Sequence, residues 1–422
     1  MSQPGTTPPA QPPVDEVPAG APGADRPQDR RPTGDGVLRE MLSSSWLMTV
    51  CAIVLALLIG AVLIAAADPD VQRTAGYLFA RPSDFFTALW QTVSGAYASL
   101  FQGAVFDWAA TSPQRAIRPL TETLTISVPL ILAGLGVGIG FRAGLFNIGA
   151  QGQITLGAIL ASWIGFTWDL PAGVHLLLAM VGAAIGGAVW ASIAGVLKAR
   201  TGAHEVIVTI MLNNIAVFLV LYLLTTSVFR SATPQVGRPV AETAMLPGLL
   251  GDAFRLHLGF PLALLAAVGV WWLMERSTLG FRFRAVGSNP HAARTAGISV
   301  PWVTVLVMAV AGALAGLAGG AQLLGTERNL TGAIAGSIGF DALTVALLGR
   351  SKPLGTVLAG LLFGAFAAGG RLMQTRTGTP IDIVLVLQSL IVLFIAAPPL
   401  VRAVFRLPAP GTRRRSTVEA AA

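Results

Sequence analysis

Three side-chain amides stand between two long apolar runs of this sequence. The stretch from Phe141 to Ala158 reads FRAGLFNIGAQGQITLGA, and its amides belong to Asn147, Gln151 and Gln153. A carboxamide offers both donors and an acceptor, so the chemistry available here is hydrogen bonding without charge. Because an unpaired amide is costly in an apolar environment, we expect these side chains to face other helices or a wet cavity.

The spacing of these polar residues predicts one polar helical face. Asn147, Gln151 and Thr155 follow one another at intervals of four, which places them on one side of a helix, whereas Gln153 points elsewhere, nearer to a stripe of glycines. Two interpretations are open from the residues alone. The amides either make hydrogen bonds between helices, worth about 1 kcal/mol each, or line a path for a polar, uncharged solute.

A second run, KARTGAHEVIVTIMLNNIA from Lys198 to Ala216, repeats this pattern. Thr209 and Asn213 are four residues apart on one helical face, and Asn214 is adjacent. A polar track without net charge suits a neutral, hydrogen-bonding substrate better than an ion. We therefore predict a substrate pathway formed by Asn147, Gln151, Gln153, Thr155, Thr209, Asn213 and Asn214.

A third segment, ERSTLGFRFRAVGSNPHAARTAGISV from Glu275 to Val300, contains the signals of a short helix. Asn289 is suited to the N-cap, Pro290 to the first helical position and Gly297 to the C-terminal cap. A capped, basic helix between two apolar runs is typical of a docking element, and the alternative is a solvated loop. The candidate docking residues are Asn289, Pro290, His291, Ala293, Arg294 and Gly297.

The elements that must position these residues are membrane helices. The chain is 54% hydrophobic and 11% charged, whereas soluble domains carry about 25% charged residues. We predict an all-α, polytopic transmembrane bundle of about ten spans. The segments lie near 47–67, 120–140, 145–167, 173–197, 205–229, 258–274, 300–323, 338–349, 354–371 and 382–404. The eighth is too short to cross alone, so we expect a broken or re-entrant element at 338–349, and nine spans with a re-entrant hairpin is the alternative.

An aromatic stretch and a set of regularly spaced glycines also indicate how the helices pack. The aromatic stretch 85–108 is expected to lie at the outer interface or to pack over the bundle as a lid. Glycines at small-xxx-small spacing predict close helix packing. They are Gly182 with Gly186; Gly312, Gly316 and Gly320; and Gly360 with Gly364.

Both ends of the chain are expected to be cytoplasmic tails flanking a membrane domain at 46–405, which includes the docking loop at about 275–298. Residues 1–45 hold nine of the 27 prolines and few apolar residues, so we predict disorder there. Residues 406–422 form a basic tail. With the N-terminus inside, 18 of the 28 lysines and arginines face the cytoplasm. Membrane topology therefore explains the positive charge without nucleic acid.

Several kinds of chemistry have no motif in this chain. It lacks the phosphate-binding sequences GxxxxGKS and GxxxxGKT as well as HExxH and GxSxG, and its four histidines and single cysteine have no metal-ligand spacing. We therefore expect neither an enzyme nor a metal site. Asp341 and Asp382 are expected to cap helices. Because a proton-coupled carrier usually carries ionisable residues in mid-span, their scarcity weakens the alternative of an ion-gradient-driven carrier.

Three stretches carry a resemblance to a known family. FRAGLFNIGAQGQITLGA resembles the signature of permease subunits of ABC importers in the branched-chain amino acid, ribose and nucleoside group. RSTLGFRFRAVGSNPHAARTAGI resembles the cytoplasmic coupling segment of that group, and GFDALTVALLGRSKPLGTVLAGLLFG resembles its C-terminal half. The resemblance covers about residues 47–405. The long outer loop and GAHEVIVTIMLNNIA are more similar to the larger nucleoside permeases than to the ribose permeases.

The resemblance implies a permease subunit of an ATP-driven importer for nucleosides or related simple sugars in a bacterial cell membrane. It implies a second permease subunit, related but different, and an extracytoplasmic substrate-binding lipoprotein. It also implies a cytoplasmic ATPase with two nucleotide-binding domains, docked around 289–294, which would hold the ATP and magnesium, so that no cofactor is expected in this chain. A non-transport membrane scaffold is a further alternative, but it leaves the amides unexplained.

Overall fold

The computed structural model describes residues 45–251 and 253–405, whose regular secondary structure is almost entirely helical. The predicted tails at 1–45 and 406–422 lie, apart from Ser45, outside the described residues. The helices are α1 Ser45–Ala67, α2 Pro69–Ala75, α3 Pro82–Ala104, α4 Pro113–Arg142, α5 Ala150–Thr167, α6 Val174–Thr201, α7 Glu205–Leu223, α8 Gly259–Arg276, α9 Thr278–Ser288, α10 Pro290–Thr295, α11 Val300–Gln322, α12 Ile338–Leu348, α13 Pro353–Thr377, α14 Ile381–Ala396 and α15 Pro398–Phe405. Two short strands, β1 Val236–Pro239 and β2 Asn329–Thr331, pair antiparallel.

Six helices of the described ranges are long and apolar enough to cross a membrane: α1, α4, α6, α7, α11 and α13. The number rises to eight if α8 with α9, which are bent by 70°, and α14 with α15 each form one span. Every one of the ten predicted segments is helical, so the all-α, multi-pass architecture is confirmed. The number ten is not, because α5 and α12 do not meet the length and hydropathy of a span.

Glycines allow α11 to cross α5 and α6 at backbone contact. A Cβ atom added at Gly316 would lie 2.1 Å from the Ala183 carbonyl oxygen, and one at Gly187 would lie 2.1 Å from the Gly312 carbonyl oxygen. Side chains of any size would therefore push these helices apart. In a membrane, close van der Waals contact of this kind drives helix association, and the predicted packing role of the glycines is confirmed.

We expect Gly316→Leu to destabilise the bundle by about 3 kcal/mol, because the added side chain meets backbone that cannot rotate away. The measurement is thermal unfolding of the purified chain in detergent. Gly269→Leu is the matched control, since a Cβ there meets nothing within 4 Å. Equal unfolding temperatures for the two variants would contradict the assigned packing.

The eighth predicted segment is a short helix, as the sequence indicated. α12 has 11 residues, a length of about 16 Å, or roughly half of a bilayer core. It follows β2 through a non-helical segment at 332–337 and packs along α4. In its first turn Gly339 is buried, Asp341 is half-buried and Phe340 is exposed.

The aromatic stretch 85–108 forms most of α3, a helix of 23 residues. Its C-terminal half buries Ala96 and Leu100 in a cluster with Phe366 and Met373 of α13. Near the N-terminal end, Trp90 is exposed. The C-terminal half thus packs on the bundle, which is the lid-like alternative, while the aromatic N-terminal half faces outward.

Candidate substrate cavity

Gln151 joins the first turn of α5 to the start of α12. Its amide nitrogen donates to the Gly336 carbonyl oxygen at 2.5 Å, and its amide oxygen accepts from the Gly339 backbone nitrogen at 3.0 Å. One side chain therefore satisfies a carbonyl before the helix and an N–H group in its first turn. Gln151 holds the beginning of α12 in place.

Asn147 and Gln153 form a buried pair of hydrogen-bonded amides. Each amide nitrogen donates to the other side chain's oxygen, at 3.2 and 3.1 Å, and Asn147 Oδ1 also accepts from the Gly149 backbone nitrogen at 2.9 Å. The prediction that Asn147 shares a helical face with Gln151 is wrong, because α5 begins only at Ala150. The local side-chain bond to Gly149 competes with helix formation at this point.

Asn213 connects α7 to α5, so the two amide-bearing helices meet. Its nitrogen donates to the Ile148 carbonyl oxygen at 2.9 Å, and its oxygen accepts from the Gly152 backbone nitrogen at 2.8 Å. Asn213 thereby holds the non-helical segment before α5 in place, as Gln151 does for the segment before α12. These contacts correspond to the first interpretation of the amides, hydrogen bonding within the protein.

The remaining three predicted pathway residues bond within their own helices. Thr155 and Thr209 are buried and donate to the carbonyl oxygens four residues earlier, at 2.9 and 2.8 Å. Asn214 is exposed on α7 and donates to the Ile210 carbonyl oxygen at 3.0 Å. A direct part for these residues in a pathway stays a prediction.

A cavity of about 420 Å³ adjoins the start of α12. It lies between α4, the end of α11, α12, α13 and α14. Its polar lining residues are Glu122, Thr125, Arg255, Gln322, Thr326, Glu327, Ser337, Asp341, Arg371 and Gln388. None of the seven predicted pathway residues is among the described residues that line it, but Gln151 binds Gly336, which does.

The polar residues at the end of α11 were not predicted from the sequence. The chain there continues as a π-helical turn, Leu323–Glu327, and then reverses at Arg328 with a φ of 64°. Single π turns at the end of or within α-helices are frequent at functional sites. Gln322 and Glu327 hydrogen-bond to each other at 3.2 Å beside the cavity. The available signal was the abrupt polar run, Thr326 to Asn329, after an apolar helix.

Asp341 and Asp382 occupy the first turns of α12 and α14, where the helix dipole favours a carboxylate. Neither makes a capping hydrogen bond to backbone in the part of the chain that the structure describes, so the predicted capping is wrong. Asp341 accepts instead from the Ser337 hydroxyl at 2.6 Å and lines the cavity.

His257 supports the π turn from the loop before α8. Its ring fills the space that Gly325 leaves open, since a Cβ added at Gly325 would lie 2.4 Å from His257 Nε2. The ring is 3% exposed, and its Nδ1 accepts from the Gly259 backbone nitrogen at 3.1 Å. Burial, together with the nearby Arg255 charge, lowers the pKa of His257 to about 4. The folded protein therefore holds this imidazole neutral.

We expect the free energy of unfolding to fall between pH 6.5 and about 4. In this range the unfolded chain binds a proton at His257 that the folded chain does not, so stability decreases as pH falls and is fully present above pH 6.5. The loss amounts to at most about 3 kcal/mol.

Thermal unfolding in detergent at pH 7 and pH 4.5 should show a smaller pH effect for His257→Gln than for the unsubstituted chain. The control is His204→Gln at an exposed site, and an unchanged pH effect in His257→Gln would contradict the assignment.

The predicted docking segment has the local structure that its sequence indicates. Asn289 Oδ1 caps α10 by accepting from the backbone nitrogens of His291 and Ala292, at 3.0 and 3.1 Å, with Pro290 in the first turn. Gly297 ends the helix with a φ of 80° in an arrangement typical of glycine-terminated helices.

The exposure of α10 leaves it available for docking. Ala293 is the buried anchor of this helix, whereas Asn289, Pro290, His291 and Arg294 are exposed. At the same end of the bundle, Arg142 binds Glu275 at 2.6 Å, which ties α4 to the end of α8. The short helix is confirmed, and its binding to an ATPase stays a prediction.

The comparison with known families identifies the protein's class. The family model described as branched-chain amino acid transport system, permease component, matches residues 120–396, which is more than half of the chain. The chain belongs to this permease family. The match contains Gln151, the cavity-lining part of α4, and α10 through α13.

Curated relatives place this permease among ABC transporter components. It is 41% identical over 317 residues to the guanosine ABC transporter permease protein NupP of Bacillus subtilis, covering 74% of this chain and 88% of NupP. It is 38% identical to the glucose ABC transporter permease protein TsgB13 of Haloferax volcanii, covering 65% of this chain and 75% of that protein. It is 36% identical to the nucleoside ABC transporter permease protein NupB of Lactococcus lactis, covering 66% of this chain and 79% of NupB. No solved structure matches the chain.

Family membership supports the first of the hypotheses drawn from the sequence. This permease is a multi-pass membrane component of an ABC transporter of the nucleoside and simple-sugar group. Members of the family are transport components rather than enzymes. Membership also implies an ATPase and a substrate-binding protein as partners.

Proposed function

We propose that this permease translocates a nucleoside through the cavity at the start of α12. The single observation that carries the proposal is the 41% identity to a guanosine permease over 88% of that protein. The cavity supports it, because about 420 Å³ lies within the usual range for small-molecule sites. A half-length helix that begins at a polar cavity inside a bundle is also a recurrent way of building a transport site.

In this proposal four of the seven residues predicted from the sequence shape the pathway: Asn147, Gln151, Gln153 and Asn213. Gln151 fixes the start of α12, where Ser337 before the helix and Asp341 in its first turn line the cavity. The Asn147–Gln153 pair and Asn213 fix the non-helical segment from which α5 starts. Movement of that segment would be transmitted to α12 through Gln151.

The energy for transport is proposed to enter through α10. The exposed residues of α10, with Arg294 in its last turn, form the docking surface for a cytoplasmic ATPase that has two nucleotide-binding domains and holds ATP and magnesium. A surface lipoprotein delivers the substrate from outside, and a related but different permease chain completes the path. The resemblance of the docking segment to the coupling segments of this group supports the assignment.

We further propose that the protein lies in the bacterial cytoplasmic membrane with both termini in the cytoplasm. Arg142, Lys198, Arg200 and Arg276 end their helices on the side where α10 lies. Basic residues accumulate on the cytoplasmic side of membrane proteins. The tails at 1–45 and 406–422 are cytoplasmic in this orientation, and the loops that carry β1 and β2 are outside.

The test is substrate uptake by a host that lacks nucleoside uptake and produces this permease with its partner subunits. We expect labelled guanosine to accumulate only when this chain is present, and excess unlabelled ribose or glucose to leave that accumulation unchanged. A second candidate function, simple-sugar import, is favoured by the 38% identity to a glucose permease. Accumulation of glucose or ribose without guanosine would establish that function instead.

A further inference from the structure

The start of α12 is unsuited to binding an anion, although a helix N-terminus that opens into a cavity ordinarily attracts one. The first three N–H groups already have acceptors. Ile338 donates to the Ala335 carbonyl oxygen at 2.9 Å and Phe340 to the Ser337 carbonyl oxygen at 3.0 Å. Gly339 donates to Gln151 at 3.0 Å. None of these groups is left for a carboxylate or phosphate of a substrate.

Asp341 places a negative charge in the same turn. One carboxylate oxygen, Oδ2, accepts from the Ser337 hydroxyl at 2.6 Å, which orients the group. Among the described residues, Asp341 has no ion pair within 4 Å, and its Oδ1 has no hydrogen-bond donor. Because Asp341 lines the cavity, this acceptor is available to a molecule inside it.

The other charges of the cavity do not neutralise Asp341 directly. Glu122 is bound by Arg255 at 3.4 Å, and Glu327 accepts from Gln322. The cavity lining has a formal charge of −1. It holds the three carboxylates of Glu122, Glu327 and Asp341 and the two guanidinium groups of Arg255 and Arg371. A carboxylate in a poorly solvated site forms strong hydrogen bonds to hydroxyl donors and repels a second negative charge.

We propose that Asp341 is a specificity-determining residue of the cavity. Its carboxylate accepts hydrogen bonds from adjacent hydroxyl groups of a neutral substrate, such as the 2′ and 3′ hydroxyls of a nucleoside's ribose. The same carboxylate, beside a helix start without free N–H groups, disfavours substrates that carry a phosphate or carboxylate. This inference rests on the proposed nucleoside transport and adds the feature of the nucleoside that this chain recognises.

The test compares uptake of guanosine with uptake of 2′,3′-dideoxyguanosine by the complete importer. The binding protein is the same in every strain, so a change in the ratio of the two uptake rates reports on this chain alone. We expect Asp341→Ala to lower guanosine uptake about tenfold to a hundredfold, the usual effect of losing a hydrogen bond to a charged group. Dideoxyguanosine uptake should change little, so the ratio falls by the same factor.

Two further variants keep the result interpretable. Asp341→Asn preserves the shape of the side chain and should lower the ratio by a smaller factor, and it decides the question if Asp341→Ala does not assemble. Asp84→Ala is the matched control, because Asp84 is half-buried in the first turn of α3, does not line the cavity, and also accepts from a neighbouring serine hydroxyl, that of Ser83. In the Asp84→Ala variant, the ratio of guanosine uptake to dideoxyguanosine uptake should equal that of the unsubstituted importer.

The outcomes separate this inference from the proposed function. If the unsubstituted importer accumulates no guanosine, the proposed function fails and the assignment of Asp341 is overturned with it. If the importer accumulates guanosine and the Asp341 variants lower both uptake rates equally, only the inference is overturned, and Asp341 has a structural role instead.

Discussion

Gln151→Leu is expected to lower uptake by the complete importer about a hundredfold while leaving the protein in the membrane. Leucine is similar in size but makes neither of the two hydrogen bonds that hold α12. The Gly336 carbonyl and the Gly339 N–H group then lose their partners, at a cost of about 1–3 kcal/mol each. The start of α12 shifts away from the cavity to find other partners. The measurement is the initial rate of guanosine uptake, divided by the amount of permease in the membrane fraction.

The same substitution elsewhere provides the control. Gln91 is exposed on α3, so Gln91→Leu makes the identical chemical change without touching α12 and should leave the uptake rate within about twofold of normal. A normal rate in Gln151→Leu, with normal assembly, would remove Gln151 from the transport mechanism. Loss of the protein from the membrane would instead show that the two hydrogen bonds of Gln151 serve folding.

Arg294→Glu is expected to disconnect this permease from its ATPase. Arg294 is exposed in the last turn of α10, so the substitution changes the charge of the docking surface by two units without disturbing Ala293, the buried anchor. A contact between like charges at an interface costs on the order of several kcal/mol. We therefore expect substrate-stimulated ATP hydrolysis by the purified complex to fall at least about tenfold, together with uptake.

Arg200→Glu serves as the control for charge reversal at this end of the molecule. Arg200 is exposed in the last turn of α6 but belongs to no predicted docking segment. In the Arg200→Glu variant, substrate-stimulated ATP hydrolysis and substrate uptake should stay close to normal. If Arg294→Glu co-purifies with the ATPase and retains full stimulation, the docking surface lies elsewhere on the permease.

The sequence predicted the helices and the docking segment well because their signals are local. Long apolar runs marked all ten segments, and the order of Asn289, Pro290 and Gly297 marked a short capped helix that the structure contains. Periodicity alone did not place Asn147 correctly, because its own side chain bonds to Gly149 and delays the start of α5.

The cavity could not be predicted because its lining comes from distant parts of the chain. Glu122 of α4, Glu327 of the π turn and Asp341 of α12 meet only through tertiary packing. Asp341 was predicted to cap a helix, because the position of a helix is visible in a sequence and a cavity is not. It also identified Gln151 as important without revealing its partners, which are backbone groups of Gly336 and Gly339.

The most direct test of the proposed mechanism is the energy source of guanosine uptake. The complete importer, reconstituted in vesicles with its ATPase and binding protein, should accumulate labelled guanosine only when hydrolysable ATP is present on the ATPase side. Accumulation should continue after ionophores dissipate all ion gradients. Uptake that proceeds without ATP and stops when the gradients are dissipated would contradict the proposed transport by an ATP-driven permease.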